Sequence, residues 1–327
     1  MMKFTKLIPV LCLGLSIIAC NNDDDGGAQQ EPPRDVNEVR VEDNDSIVQY
    51  LQTHYYNYHE FQNPPADFDY QIKFDTITDA NRDTIIPLID QVETREYDFD
   101  DVPHTLYVLI VREGVGEKPM LGHAVVYEYE GSLLNGTIFD QSYNPLSSST
   151  LRVSSDGFNI RAAGSFVEGF YRMFPELGAG TGFVENADGT ITWNQDYGIG
   201  AVFMPSGLGY FNVSRPGIPA YSPIIFKIDL FNFEEVDQDL RQQGNQAVSI
   251  PDGVPSHLED VDGDGDPRND DTDGDGLANF ADPDDDGDGV LTEYEYDKNG
   301  DGIPDDYNND GTPDYLDPDY PTVGSNS

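Results

Sequence analysis

Three things are scarce in this 327-residue chain: cysteine, positive charge and long apolar runs. Cysteine occurs only at Cys12 and Cys20, both within the first twenty residues, so the body of the chain cannot hold a disulfide framework. Lys and Arg total 17 against 62 Asp and Glu, for a formal net charge of −45. Nucleic-acid phosphates need Lys and Arg, so this balance argues against nucleic acid as a partner. It suits cations and solubility. The apolar run from Leu7 to Ile18 is shorter than a spanning helix requires. Length alone suggests about two domains.

The first twenty residues carry an address. Lys3 and Lys6 precede the apolar run, which closes on Ser16-Ile17-Ile18-Ala19-Cys20. This resembles a bacterial lipobox, which implies that residues 1–19 are a removed signal peptide and that Cys20 carries lipid. The acidic run Asn21-Asn22-Asp23-Asp24-Asp25 resembles the export tag of surface lipoproteins in some Gram-negative bacteria; a solvated linker fits it nearly as well. The expected location is the cell envelope, lipid-anchored to the outer membrane on its periplasmic or surface face.

Residues 20–42 are polar and read as a flexible tether. Asp45 or Ser46 is placed to cap a helix from Ile47 to about Tyr58, with Ile47, Tyr50, Leu51, His54 and Tyr58 on one face. Pro64-Pro65 stops it, and the alternation Phe68-Tyr70-Ile72-Phe74 predicts a half-buried strand. Residues 43–98 therefore read as an N-terminal accessory region. Beyond Val102 strand follows strand. Leu106-Val108-Ile110 interleave with Tyr107-Leu109-Val111, which predicts a strand buried on both faces. Ala124–Tyr129 and Ile224–Leu230 add two more. The single good helix runs from Phe166 to about Leu177, shortened by Pro175 and stopped by Gly178 and Gly180. The fold class is α+β: an antiparallel sheet wrapped on one short helix over 99–234. Asp188-Gly189 marks an inserted hairpin. Residues 235–258, with Gly244, Gly253 and two prolines, read as a linker.

Within 99–234 three segments fall in a telling order. The first holds Tyr129-Glu130-Gly131 and Gly136-Thr137-Ile138-Phe139-Asp140. The second is Phe166-Val167-Glu168-Gly169-Phe170. The third is Met204-Pro205-Ser206-Gly207-Leu208-Gly209-Tyr210, followed by Pro216-Gly217-Ile218-Pro219 and Ile224-Ile225-Phe226. Together they resemble FKBP-type peptidyl-prolyl cis–trans isomerases over about 130 residues. The resemblance implies a proline pocket lined by Tyr129, Phe139, Val167, Phe170, Tyr210, Ile218 and Phe226, with Phe166 beside Val167. It also implies that Asp140 orders the rim or holds the Tyr129 hydroxyl, and that no cofactor serves catalysis. Departures are Phe170 where the family often has Trp, Phe211 where it has Gly, and a 212–215 loop without its common His.

The last segment repeats itself. Loops of the form Asp-x-[Asp/Asn]-x-Asp-Gly begin at Asp260, Asp271, Asp284, Asp297 and Asp306. Gly at position six permits the sharp turn of a calcium loop, and the acidic oxygens suit a hard cation. The candidate ligands are Asp271, Asp273, Asp275 and Asp282; Asp284, Asp286, Asp288 and Glu295; Asp297, Asn299 and Asp301; and Asp306, Asn308, Asp310 and Asp317. Arg268 at its ninth position makes the first copy the weakest. Loops restarting this often leave no room for flanking helices, and the spacing resembles thrombospondin type-3 repeats. Residues 259–320 therefore read as a calcium-binding tail without a hydrophobic core.

The leading expectation is a prolyl isomerase that assists folding in the cell envelope. Its partners would be proline-containing polypeptides, calcium and, through Cys20, a membrane; no feature argues for an oligomer. The alternative is a non-catalytic module that grips proline-containing peptides on a calcium-stiffened surface lipoprotein.

Overall fold

The structure is a computed structural model that describes residues 32–142, 167–243 and 246–320. Cys20, the leader and Phe166 lie outside those residues.

The chain enters through α1, Val36–Thr53, and then β1, His54–Tyr56. A short α2, Tyr58–Gln62, leads to β2, Phe74–Thr76, which pairs with β1. The main sheet is built from β3 (Glu93–Phe99), β4 (Val102–Arg112), β5 (Ala124–Leu133), β6 (Ile138–Ser142), β9 (Gly198–Met204) and β10 (Ile224–Glu234). Its order is β3-β4-β9-β10-β5-β6, and every pair is antiparallel. Between β6 and β9 come α3, Glu168–Tyr171, and the small hairpin of β7 (Phe183–Glu185) and β8 (Ile191–Trp193). The turn of that hairpin carries Gly189 at φ +83°, as its Asp-Gly pair implied.

Both faces of the sheet are buried because its central strands are apolar in both registers. Leu106, Val108, Phe226 and Ile228 pack on α3 and the 3₁₀ turn Phe174–Glu176. Tyr107, Leu109, Phe203 and Ile225 pack on the other side, under Ile47 and Leu51 of α1. The strand read as doubly buried is so.

Four expectations need correction. The helix starts at Val36, not near Ile47, so residues 36–42 are not tether. Its cap is Asp35, whose Oδ1 accepts the Asn37 and Glu38 amides at 2.9 and 3.2 Å. The stripe that buries it is Val39, Asp43, Ile47 and Leu51. Asp43 interrupts the apolar pattern because its carboxylate accepts both the Ser206 amide and hydroxyl, at 2.7 and 2.6 Å. The predicted strand over Phe68–Phe74 shrinks to β2, since Tyr70 turns at φ +56°. The helix over Phe166–Leu177 is one turn of α3 plus the 3₁₀ turn, with Pro175 inside that turn. Finally, 235–258 is not an extended linker. It holds the hairpin of β11 (Leu240–Gln243) and β12 (Gln246–Ser249), and Val254 and Ser256 are fully buried.

The acidic tail has no core of its own. Phe280 and Ala281 join the main cluster instead, so the tail lies against the sheet domain.

Candidate functional site

The site begins with a bulge. Strand β6 pairs with β5 as Gly131↔Asp140 and then Ser132↔Ile138, which leaves Phe139 as the extra residue. Successive side chains of a regular strand point to opposite faces; a bulge re-aims them. Here Phe139 and Asp140 both line one cavity. Asp140 accepts the Tyr129 hydroxyl at 2.7 Å. Burial, and then that acidic neighbour, pushes the Tyr129 hydroxyl pKa up, so the phenol stays protonated and donating. Gly131 sits beneath two rings. A Cβ there would lie 2.6 Å from Cε2 of Phe139 and 2.7 Å from Cε1 of Phe226.

The cavity measures about 190 Å³. Its walls are Phe139, Asp140, Tyr210, Arg215, Pro216, Ile218 and Phe226. Of the eight residues expected in the pocket, five are on this wall. Tyr129 and Phe170 form the layer behind: the Phe170 ring is 4.8 Å from Phe226 and 5.8 Å from Tyr129, centroid to centroid. Phe170 is fully buried, as a floor residue should be. Val167 is buried in the same cluster at the start of α3. Arg215 and Pro216 were not singled out as wall residues by sequence. The Arg215 guanidinium lies over the Tyr210 ring, 5.6 Å from its centroid. Among the described residues the Tyr210 hydroxyl has no hydrogen-bond partner, so it is available to a ligand oxygen.

Phe211 follows Tyr210 with φ +43°, a conformation that costs an L-residue about 1–2 kcal/mol. Its ring is held by Phe99 at 5.0 Å and Tyr221 at 5.2 Å, so packing offsets the strain that a glycine would avoid. Among the described residues this wall carries no Ser, Cys, His or Lys side chain. What it offers is an apolar, aromatic enclosure with a few directed donors.

Helix α3 also ties the site to the tail. Glu168 accepts Arg172 at 2.7 Å and Arg268 at 2.9 Å, and Arg172 reaches Asp266 at 2.6 Å. Burial raises the Glu168 pKa, but the Arg268 and Arg172 guanidiniums outweigh it and hold it below the usual range. Arg268, out of place as a calcium ligand, is the docking residue of the first repeat.

The five loops share one backbone design. In each, the position-six glycine amide donates to the position-one carboxylate: Gly265 to Asp260, Gly276 to Asp271, Gly289 to Asp284, Gly302 to Asp297 and Gly311 to Asp306. Position four also takes positive φ, in Gly263, Gly274, Gly287, Gly300 and Asn309. Sequence reasoning noted the sixth position and missed the fourth, where Asn309 stands in for glycine. In the last four loops the ninth residue accepts the second amide, through Asn279, Thr292, Asp305 and Asp314. Arg268 cannot accept; in the first loop Asp270 instead accepts the third amide, from Asp262, at 3.1 Å. Carboxylate oxygens of Asp260, Asp262 and Asp264 lie within 4.8 Å of one another, as do those of Asp271, Asp273 and Asp275. In the third loop Oδ2 of both Asp286 and Asp288 is buried without a hydrogen bond. These donor sets fit calcium.

Comparison with known proteins adds the following. FK506-binding protein 1 of Dictyostelium discoideum is 27% identical over 128 residues, which is 39% of this chain and 96% of that protein. The family described as BamM C-terminal matches residues 251–302. Among solved structures, a peptidyl-prolyl cis-trans isomerase from Pseudomonas syringae aligns at TM-score 0.29 and 20% identity, covering 43% of this chain and 81% of that one. FkpA from Escherichia coli aligns at TM-score 0.31 and 18% identity, covering 61% and 63%. About two fifths of the chain is similar in sequence to an FK506-binding protein.

Proposed function

We propose that this chain is a peptidyl-prolyl cis–trans isomerase of the bacterial cell envelope. Rotation about an X–Pro bond faces a barrier of about 18–20 kcal/mol from amide resonance. No covalent bond changes, so catalysis consists of favouring the twisted amide over the planar one. The twisted carbonyl is less resonance-stabilised and better accommodated away from water. The observation that carries the proposal is the 190 Å³ aromatic cavity walled by Phe139, Tyr210, Ile218 and Phe226 and backed by Phe170. A proline ring would seat on Phe226 and Phe139. The Tyr210 hydroxyl would donate to a substrate carbonyl, and Asp140 would fix Tyr129 at the rim.

The envelope address rests on the lipobox-like leader ending at Cys20, where X–Pro isomerisation would otherwise take tens of seconds. In the tail, the carboxylates of Asp271, Asp273, Asp275, Asp282, Asp284, Asp286, Asp288, Glu295, Asp297, Asp301, Asp306, Asp310 and Asp317, with Asn299 and Asn308, would hold calcium. A bound cation there would stiffen a segment rich in mutual repulsion.

The test is refolding of a protein whose slow phase is limited by proline isomerisation, with and without the full chain. Acceleration that disappears in Phe139→Ala/Tyr210→Phe is expected. No acceleration, with proline peptides still bound, would replace catalysis by simple binding.

A further inference from the structure

The stretch after β10 and the third repeat bring together acids that belong to no repeat ligand set. Asp239, Asp252 and Glu259 come from the former, and Asp285, at the second position of its loop, from the latter. All are nearly sealed from solvent: Asp239 and Glu259 at 0% exposure, Asp285 at 2%, Asp252 at 4%. One oxygen from each of Asp252, Glu259 and Asp285 falls within 4.8 Å of the others. A second group, Asp237, Asp239 and Asp252, meets the same criterion and shares Asp252.

Their oxygens are mostly without partners. Both carboxylate oxygens of Glu259 and both of Asp285 are buried with no hydrogen bond, as are Oδ2 of Asp252 and Oδ1 of Asp239. Among the described residues no Lys or Arg pairs with any of the four. Leaving a buried polar group unsatisfied is expensive, and a buried uncompensated charge more so. Either these acids carry protons at neutral pH, or a cation compensates them.

The backbone around them is firmly placed. The Asp252 amide donates to Asp239 at 3.0 Å, the Val254 amide to Asp252 at 2.8 Å and the Ser256 amide to Val236 O at 2.8 Å. Gln238 donates to Gly122 O just before β5, and His257 stacks on His123 with centroids 4.2 Å apart. This is a held arrangement of acids, not a loose acidic surface.

We propose that Asp252, Glu259 and Asp285 form a buried calcium site, extended by Asp239 and Asp237, that fastens the third repeat to the sheet domain. An all-oxygen, strongly negative set selects a hard divalent cation over zinc, which favours His and Cys. The site's residues are separate from the repeat ligand sets. It joins two parts of the chain, whereas each repeat loop closes on itself.

The test counts calcium on the chelator-stripped full chain by titration calorimetry. The parent is compared with Glu259→Gln, Asp285→Asn and a repeat variant, Asp297→Asn/Asp301→Asn. The expected result is loss of at least one bound calcium in Glu259→Gln and in Asp285→Asn, with the repeat variant losing a different one. Unchanged number and affinity in the first two, with loss in the repeat variant, would overturn this site and keep the repeat sites. No calcium bound by the parent would overturn both. Thermal melts give a second readout if one variant folds poorly. Glu259→Gln or Asp285→Asn should melt above the parent in chelator, where buried charge is removed, and below it in excess calcium. A shift of the same sign in both conditions would contradict the site.

Discussion

Gly131→Ala puts the proposed pocket under direct mechanical test. The added methyl would sit 2.6 Å from Cε2 and 2.7 Å from Cζ of Phe139, and 2.7 Å from Cε1 of Phe226. Ordinary carbon contacts need about 3.5–4.0 Å, so the two rings must give way by roughly 1 Å. Both rings border the cavity, but Phe226 is almost wholly buried against Phe170 while Phe139 is only partly buried. The easier movement therefore carries Phe139 into the cavity. Overpacking of this kind costs about 1–3 kcal/mol. At roughly 2–4 °C per kcal/mol for a domain of this size, the melting temperature should drop by a few degrees to about 10 °C. Activity should suffer more than stability, because the displaced ring occupies the space a proline needs. A fall of about 10- to 100-fold in kcat/KM corresponds to about 1.4–2.8 kcal/mol of transition-state stabilisation. Coupled-assay kinetics and thermal melts on the same samples provide the measurement. Adding Phe139→Leu to Gly131→Ala should restore much of the melting temperature but not the rate. Full activity in Gly131→Ala would refute the placement of these rings around the substrate.

Three further outcomes follow from other parts of the fold. Glu128 and Asp229 face each other across β5 and β10, and burial pushes them up to about 7 and about 8. The folded chain thus keeps protons that the unfolded chain has lost, so stability falls as pH rises from the ordinary carboxylate range near 4 to about 8. Thermal melts across that window should show the decline, and Asp229→Asn should flatten it; a parent equally stable throughout would contradict the assignment. Asp43→Ala removes the one buried acceptor of two Ser206 hydrogen bonds and should cost about 2–4 kcal/mol in urea unfolding. Arg268→Ala leaves Glu168 and Asp266 with Arg172 alone, and the tail should dock on the order of 2 kcal/mol less firmly, short of a fully buried pair. Limited proteolysis of 259–270 would report it, and cleavage unchanged from the parent would count against the network.

How legible the sequence was depended on what each residue does. The strands from Val102 onward could be read because apolar side chains alternate onto two buried faces, as Leu106 and Tyr107 do. The cavity could be read because Phe139-Asp140 and Tyr210 lie within short local motifs. Helix α1 was half hidden, since the residue that docks its middle is an aspartate serving Ser206 rather than an apolar residue. No alternation rule foresees the turn at Tyr70, whose φ is +56°. The segment 235–258 was read as linker because polar, glycine-rich stretches normally stay in solvent. Its Asp252 is buried close to Asp285 of the third repeat, a long-range arrangement that local pattern does not encode. Arg268 misled as a flaw in a calcium loop; its partner, Glu168, is 100 residues away.

The most direct test of the central claim is NMR exchange spectroscopy on a short Ala-Phe-Pro peptide with a catalytic amount of the full chain. The account predicts cis–trans exchange faster than in free peptide, abolished in Phe139→Ala/Tyr210→Phe. Exchange at the uncatalysed rate, even with the chain near the peptide concentration, would contradict it.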